Sequence, residues 1–464
     1  MSLDLVIRGG TLVTPEGAFR AEVGIRNGVI AAIGQELAGR EEIDAAGRLV
    51  LPGAVDPHVH LQLVTRQTVS NDNWETGTMA AACGGTTTVL DFVDPAPGQT
   101  LLEALAARQA QAAGRAAIDY GLHMTLRQAD AETLAQVPAA AEAGCLSFKA
   151  YTTYESYRLN DAELLAALSA VGRAGGLLLV HCESDAIVSW ATQGLLATGR
   201  VEPRYHPQAR PAIAEAEAAA RVLALAEAAQ APVYLVHLST GRAIEALARA
   251  RRQGLRAWGE TCPQYLTLTE AEYERAGFAG AKYVCSPPLR APAEAEALWA
   301  ALARGDLQTV GTDHCPFNYR GQKDLGRARF TEIPGGLPGI EARLALLYTF
   351  GVRAGRLTPE RWVEVCCAAP ARLCGLYPRK GTLAPGADAD VVIFDPERPV
   401  TLSHTLLHER VDYTPYEGFR LQGYPETVLS HGVVVAHRGE FVGPRGAGRF
   451  LVRSIDAHQI GKIL

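Results

Sequence analysis

Residues 177–181 read LLLVH and residues 233–237 read VYLVH. Each is an unbroken apolar run of strand length that closes on a histidine. A strand with one wet face alternates apolar and polar residues. A run that is apolar at every position is buried on both faces, as in a parallel sheet covered by helices. The neighbouring text agrees: 233–237 is followed by the helix-like segment 243–253, and strand text at 86–91 by the alanine-rich 100–114. Strand, loop and helix alternate in this way from Gly53 to about Pro378, with further strands at 54–57, 145–148 and 309–312. This pattern predicts an α/β fold, a (β/α)8 TIM barrel over residues 53–378.

The two ends of the chain read differently. Short strands broken by glycine turns fill 3–8, 11–14, 22–25 and 29–33, leaving no room for helices. Strand text returns at 389–394, 400–402 and 432–437, with turns at Pro385-Gly386 and Arg438-Gly439. Residues 1–52 and 379–464 are therefore expected to form one small β-sandwich domain, with the barrel inserted between them. The aromatic stretch DYTPYEGFRLQGYP at 412–425 reads as an irregular loop packed on the barrel.

A chain of 464 residues suits such a plan, since a barrel takes about 250 to 400 residues and a satellite the rest. Hydrophobic content of 48% and charged content of 20% are ordinary for a large buried core. Forty-four basic against fifty acidic residues leave a net charge of -6, which offers nucleic acid or an anionic membrane no basic surface. No apolar run is long enough to span a bilayer, and the opening MSLDLVIRGG lacks the features of a signal peptide. Nine cysteines include no CxxC pair and fall mostly in apolar text, where a thiol acts as a small hydrophobe. A cytoplasmic protein without disulfides is the expectation.

In a barrel of this type the chemistry collects at the C-terminal ends of the strands. His58 and His60 close the first strand, and alternate residues on an extended segment point the same way. Lys149 closes 145–148, His181 closes 177–180, His237 closes 233–236 and Asp313 closes 309–312. Taken singly, each has a plain structural reading: a hydrogen-bonded histidine, or a lysine snorkelling to water. Six of them closing the strands of one barrel point to a metal site. Neutral imidazoles and a carboxylate suit zinc or a similar divalent ion, and two ions close together can activate one water. A pair of ions needs an anionic bridge, and the position for it holds a lysine. An amine that has added carbon dioxide is a carbamate, which has two oxygens and a negative charge. That chemistry would remove the cost of burying the Lys149 ammonium.

Set in order, DPHVH, SFKAY, VHCE, VHLS and GTDHCP resemble the amidohydrolase superfamily, in its dihydropyrimidinase and hydantoinase branch. AACGGTTTVLDF, GETCPQYL, SPPLR and GTLAPGADADVVIFDP extend the resemblance over essentially the whole chain. It implies a cyclic amidohydrolase that opens 5,6-dihydropyrimidines or hydantoins to N-carbamoyl amino acids. It implies two Zn2+ per subunit, one held by His58, His60 and Asp313, the other by His181 and His237, with carboxylated Lys149 between them. It also implies a homotetramer whose partner is a small cyclic amide. Tyr154 matches the tyrosine that donates to the oxyanion, although YTTYESY offers three tyrosines and periodicity does not choose among them. Ser286 in SPPLR matches a residue that binds the ring amide. Gly335 stands where an IPNG turn has asparagine; a main-chain contact would survive that change and a side-chain contact would not. Asp313 is the expected proton acceptor and donor.

Three rivals share much of this text. Dihydroorotases read HxHxR, and here Gln62 takes the arginine's place, which removes the partner for a substrate carboxylate. Allantoinase shares the metal ligands, but the HLQ, SPPLR and GQKDLG text sits closer to dihydropyrimidinase. A non-catalytic dihydropyrimidinase-like scaffold would have lost ligands, and here every position is filled. The segment 61–74 leaves the first ligands at the catalytic face, where loops set specificity. Relatives with broad hydantoinase activity carry glycine and bulky apolar residues there, whereas this chain has Thr65, Arg66 and Gln67. Arg66 either points into solvent or reaches the pocket mouth.

Overall fold

The computed structural model describes residues 2–455; Met1 and residues 456–464, both assigned above to the terminal domain, lie outside the described residues. Eight parallel strands lie side by side in chain order: Ala54–Val59, Thr86–Val93, Asp119–Thr125, Ser147–Tyr151, Leu177–His181, Val233–Leu235, Ala257–Thr261 and Thr309–Val310. A parallel bridge between Val59 and His314 brings the last strand round to the first, and the His60 N–H donates to the His314 carbonyl at 2.8 Å. The sheet is thus a closed (β/α)8 barrel. Every residue of Leu177–His181 is buried, as the uniform apolar text requires.

The helices start where side chains satisfy their first N–H groups. Thr100 and Glu103 bond each other's backbone at the head of Leu101–Ala112, and Asn160 and Glu163 do the same before Asp161–Arg173. Each such reciprocal cap stabilises its helix by about 1 kcal/mol and fixes where the preceding loop ends. Those loops carry the site.

Strands from the two chain ends form the other sheets. Leu3–Arg8, Glu22–Arg26, Val29–Gly34 and Gly39–Asp44 make a four-stranded sheet. A seven-stranded sheet joins Thr11–Thr14, Gly17–Arg20 and Leu49–Pro52 to Val391–Thr401, Arg420–Ser430, Val433–His437 and Glu440–Phe441. The join is antiparallel, Leu49–Pro52 against Val391–Phe394. Ile7, Ile25, Val50, Val391, Ile393 and Leu429 pack in one apolar cluster between these sheets.

Two features differ from the sequence reading. The second half of 412–425 is the start of the eleven-residue strand Arg420–Ser430, paired along Val391–Thr401, which itself runs on through Val400. Gly423 and Pro425 disguise that strand. Pro425 has no N–H to donate, and it sits beside a register shift at Ile393/Phe394. Gly423 has φ +102°, and a Cβ there would lie 2.4 Å from the Tyr348 ring, so only glycine fits. The second difference is the segment 446–455, which leaves the terminal sheets and crosses beneath the barrel. Gly448 N–H donates to the Ala116 carbonyl, and Tyr120 exchanges backbone hydrogen bonds with Arg449 and Leu451. Arg453, 4% exposed, donates from Nη1 to Ser147 Oγ at 2.8 Å. Among the described residues no helix is long and apolar enough to cross a membrane, and all nine cysteines are buried and unpaired.

Candidate metal centre and active site

The strand ends bring two groups of ligand-type atoms together. Oδ1 of Asp313 lies 3.3 Å from His58 Nε2 and 3.1 Å from His60 Nε2. His181 Nδ1 lies 3.0 Å from His237 Nε2. The rings of His58 and His237, 5.4 Å apart, connect the groups.

Protonation decides what these contacts mean. His58 Nδ1 sits 2.7 Å from Glu260 Oε1, so Nδ1 carries the proton and Nε2 presents its lone pair to the Asp313 oxygen. His181 Nε2 sits 2.7 Å from Glu183 Oε2, so His181 Nδ1 turns a lone pair towards His237. Burial pushes His58 and His237 well below the usual histidine pKa and lowers His181 as well. Among the described residues His58 Nε2, His60 Nδ1 and His237 Nδ1 are buried without a hydrogen-bond partner. His58 Nε2 and Asp313 Oδ1 thus face each other as two acceptors in a buried place, which is unfavourable unless a cation lies between them. The residues present therefore fit divalent metal, with His58, His60 and Asp313 around one point and His181 and His237 around another.

Lys149 comes from the fourth barrel strand and is 1% exposed. Its Nζ makes no hydrogen bond or ion pair among the described residues and rests over the rings of Tyr151 and Phe92, at 5.0 and 5.4 Å. Burial brings its pKa down to about 8, against the pull of Asp313 and Glu260. Near neutral pH the neutral amine is therefore a minor form, though far more populated than in an exposed lysine.

Residues not singled out in the sequence hold this arrangement. Glu260, fully buried, accepts from His58 Nδ1, from the His237 N–H at 3.2 Å and from the Tyr234 hydroxyl at 2.8 Å. Burial raises its pKa to about 7. Glu183 bonds His181 and Arg210; burial alone would raise its pKa, but Arg210 and His181 outweigh it and bring it to about 2. Arg210 also lies over the Tyr154 ring at 5.0 Å, so one guanidinium links the histidine's backing to the tyrosine. Glu260 closes the strand Ala257–Thr261 and Glu183 follows His181 by two. Those positions were the only signal available, and a lone acid at a strand end says little by itself.

Tyr154, Ser286 and Gly335 come together on the open side of the metal residues. Burial carries the pKa of Tyr154 up to about 12, against the opposing pull of Arg210 and Ser286. A Cβ on Gly335 would meet only Ser286 Oγ, at 3.9 Å, so the glycine leaves room that an asparagine would fill. Tyr154 and Gly335 line a cavity of about 660 Å³ together with Arg66, Arg329 and Glu332. Arg66 is both exposed and a wall of this cavity, so the two readings of that residue are compatible.

The backbone marks the same places. Tyr154, His237 and Asp313 all have positive φ, at 70°, 40° and 51°, a conformation that costs a non-glycine residue about 1 kcal/mol or more. Side-chain patterning along the sequence carries no trace of it. The turn at each strand end aims a side chain inward that a regular extension would carry past the site.

A closed parallel barrel whose strand ends present clustered histidines, a carboxylate and a buried lysine with no ion pair among the described residues defines a metal-dependent hydrolase. The comparisons narrow the class: the chain belongs to the amidohydrolase family, whose model matches residues 49–435, and within it to the hydantoinase and dihydropyrimidinase branch. It is 44% identical to the D-hydantoinase of Streptomyces coelicolor over 98% of this chain and 99% of that one. The D-hydantoinase structure from Bacillus sp. AR9 superposes with a TM-score of 0.96 at 43% identity, covering 98% of this chain and all of that one. The dihydropyrimidinase structure from Brevibacillus agri gives 0.96 at 42% identity, over 97% and 99%. The protein is accordingly a cyclic amidohydrolase.

Proposed function

We propose that the protein opens hydantoin or 5,6-dihydropyrimidine rings to N-carbamoyl amino acids at a centre of two Zn2+ ions bridged by carboxylated Lys149. The observation that carries this reading is the buried pair of facing acceptors, His58 Nε2 and Asp313 Oδ1, with His60, His181 and His237 grouped beside it. Lys149, buried and without an ion pair among the described residues, supports the carbamate. When bound, the ions supply Lewis acidity and lower the pKa of water between them.

The chain's own residues do the rest. His58, His60 and Asp313 would hold one ion, His181 and His237 the other. Glu260 and Glu183 keep the proton on the outer nitrogen of His58 and His181. Tyr154, protonated at any working pH, donates to the oxygen that gains charge as the carbonyl is attacked. Ser286 and the main chain at Gly335 hold the ring amide. Asp313 takes the proton released by the attacking water and returns it to the leaving nitrogen. Gln62 offers a neutral amide where a dihydroorotase has arginine, and its buried Oε1 has no hydrogen-bond partner among the described residues.

The same reading divides the chain into a hydrolase barrel, 53–378, and a β-sandwich-like domain from 1–52 and 379–464, supported by the sheet that mixes strands of both ends, with 446–455 lying against the barrel instead of in the sandwich. It includes a homotetramer, on family resemblance, and a reducing cytoplasmic setting, which suits nine buried free thiols. The test is a panel of dihydrouracil, dihydrothymine, hydantoin, allantoin and dihydroorotate with zinc-loaded protein, alongside metal analysis. Turnover confined to allantoin or dihydroorotate, or protein that retains no stoichiometric metal, would refute it.

A further inference from the structure

The cavity that opens from Tyr154 and Gly335 has an unusual wall for an enzyme of apolar substrates. Its volume, about 660 Å³, exceeds what a five- or six-membered ring needs, so the outer part receives whatever the ring carries. That outer part is built from Thr65, Arg66, Gln67, Arg329, Thr331 and Glu332. Pro334 is the one aliphatic residue in the wall, and no leucine, valine or phenylalanine is present. Arg329 Nε pairs with Glu332 Oε1 at 2.8 Å, which cancels those two charges. Arg66 has no ion pair among the described residues, so the wall carries one uncompensated positive charge.

The loop that carries Arg66 is held in place. Arg66 sits at the tip of a hairpin in which the Thr65 N–H and hydroxyl both donate to the Thr68 carbonyl at 2.8 Å. Gln322 Nε2 braces the far side, donating to Thr68 Oγ1 at 2.7 Å and to the Val69 carbonyl at 2.8 Å. A cation at the mouth of a polar cavity attracts anions and leaves neutral aromatic groups without apolar contacts.

We infer that this mouth is a specificity site for ring substituents bearing a carboxylate, with Arg66 as the residue that recognises the charge. The inference rests on the ring-opening reaction proposed above and names its substrate class. The test compares kcat/KM for 5-carboxymethylhydantoin with its neutral isostere 5-carbamoylmethylhydantoin, using metal-loaded Arg66→Ala, Arg66→Glu and Glu332→Gln beside the wild type. The wild type should favour the anion, and 5-phenylhydantoin should be a poorer substrate than either. Arg66→Ala should lower the anion-to-amide ratio roughly five-fold, the effect of one well-placed exposed ion pair. Arg66→Glu should lower it further. Glu332→Gln, which frees the charge of Arg329, should raise it, and added salt should shrink all these differences. A ratio unmoved by both Arg66 variants overturns the inference and leaves the ring-opening activity standing. Failure to hydrolyse any of these rings, unsubstituted hydantoin included, overturns both.

Discussion

His58 and Glu260 lie on opposite sides of the barrel's seam, and Nδ1 of the one meets Oε1 of the other at 2.7 Å with both side chains buried. The contact settles the tautomer of His58 and therefore which nitrogen is free for a metal. Loss of such a backing group weakens metal affinity by about 10- to 100-fold. Glu260→Gln keeps the volume and one accepting oxygen but removes the negative charge behind His58 and puts an amide N–H in place of the other acceptor. Chelator competition should show that loss in Glu260→Gln with the circular dichroism spectrum unchanged. Wild-type metal affinity in this variant would remove Glu260 from the account.

Lys149 supplies the second expectation. Lys149→Ala should lose metal and activity together, because it removes the group proposed to bridge the two sets of histidines. Short carboxylic acids with added zinc should restore part of the activity, since they replace the carbamate's oxygens. A variant with full activity and two metals would sink the carbamate.

Tyr154 separates chemistry from metal binding. Tyr154→Phe should lower turnover by about 100-fold or more, as loss of an oxyanion donor does, while metal content stays at the wild-type level. Tyr151 and Tyr157 share the same turn, with Tyr151 ring contacts to both other tyrosines. Unchanged turnover would pass the donor role to one of them.

The fourth expectation concerns pH and the junction between barrel and terminal sheets. Lys380 Nζ lies 2.7 Å from Asp119 and from Asp390, and His431 Nε2 lies 2.7 Å from Asp119. Burial alone would raise the Asp119 pKa, but His431 and Lys380 outweigh it and hold the carboxyl well below the usual range. Its stabilisation is full above the unfolded value of about 3.9 and fades as the pH falls towards the depressed folded value. Lys380 is opposite in sign: burial lowers its pKa, Asp390 and Asp119 outweigh that and raise it, and its contribution fades only as the pH rises above about 10. Asp119→Asn should therefore cost about 3 kcal/mol at neutral pH, the effect of breaking a buried pair. The gap from wild type should narrow as denaturant titrations approach about pH 2. A gap independent of pH would mean that the ionic contact contributes nothing.

The sequence made the barrel and the cluster of polar residues at its strand ends legible for one reason. A strand buried on both faces admits few polar residues, so each that occurs at its end stands out. His58, His181 and Asp313 were visible on those terms. Glu260, Glu183 and Arg210 were not, because their importance lies in what they touch across strands, and no local pattern encodes that. The strand Arg420–Ser430 was hidden for the opposite reason: Gly423 and Pro425 speak locally for a turn, and tertiary pairing with Val391–Thr401 overrides them. The positive φ values at Tyr154, His237 and Asp313 had no signal at all in residues that ordinarily avoid them.

The pairing of Leu49–Pro52 with Val391–Phe394 sets an order in time. The ribosome releases the first of these strands long before the second exists, and all the barrel text is made in between. Through that interval the early strand has one side without its eventual neighbour, open to strands of other chains. The barrel in turn waits for Arg453 to seal its underside. It is during synthesis, more than in the finished fold, that the unpaired edge of the early strand is open to aggregation.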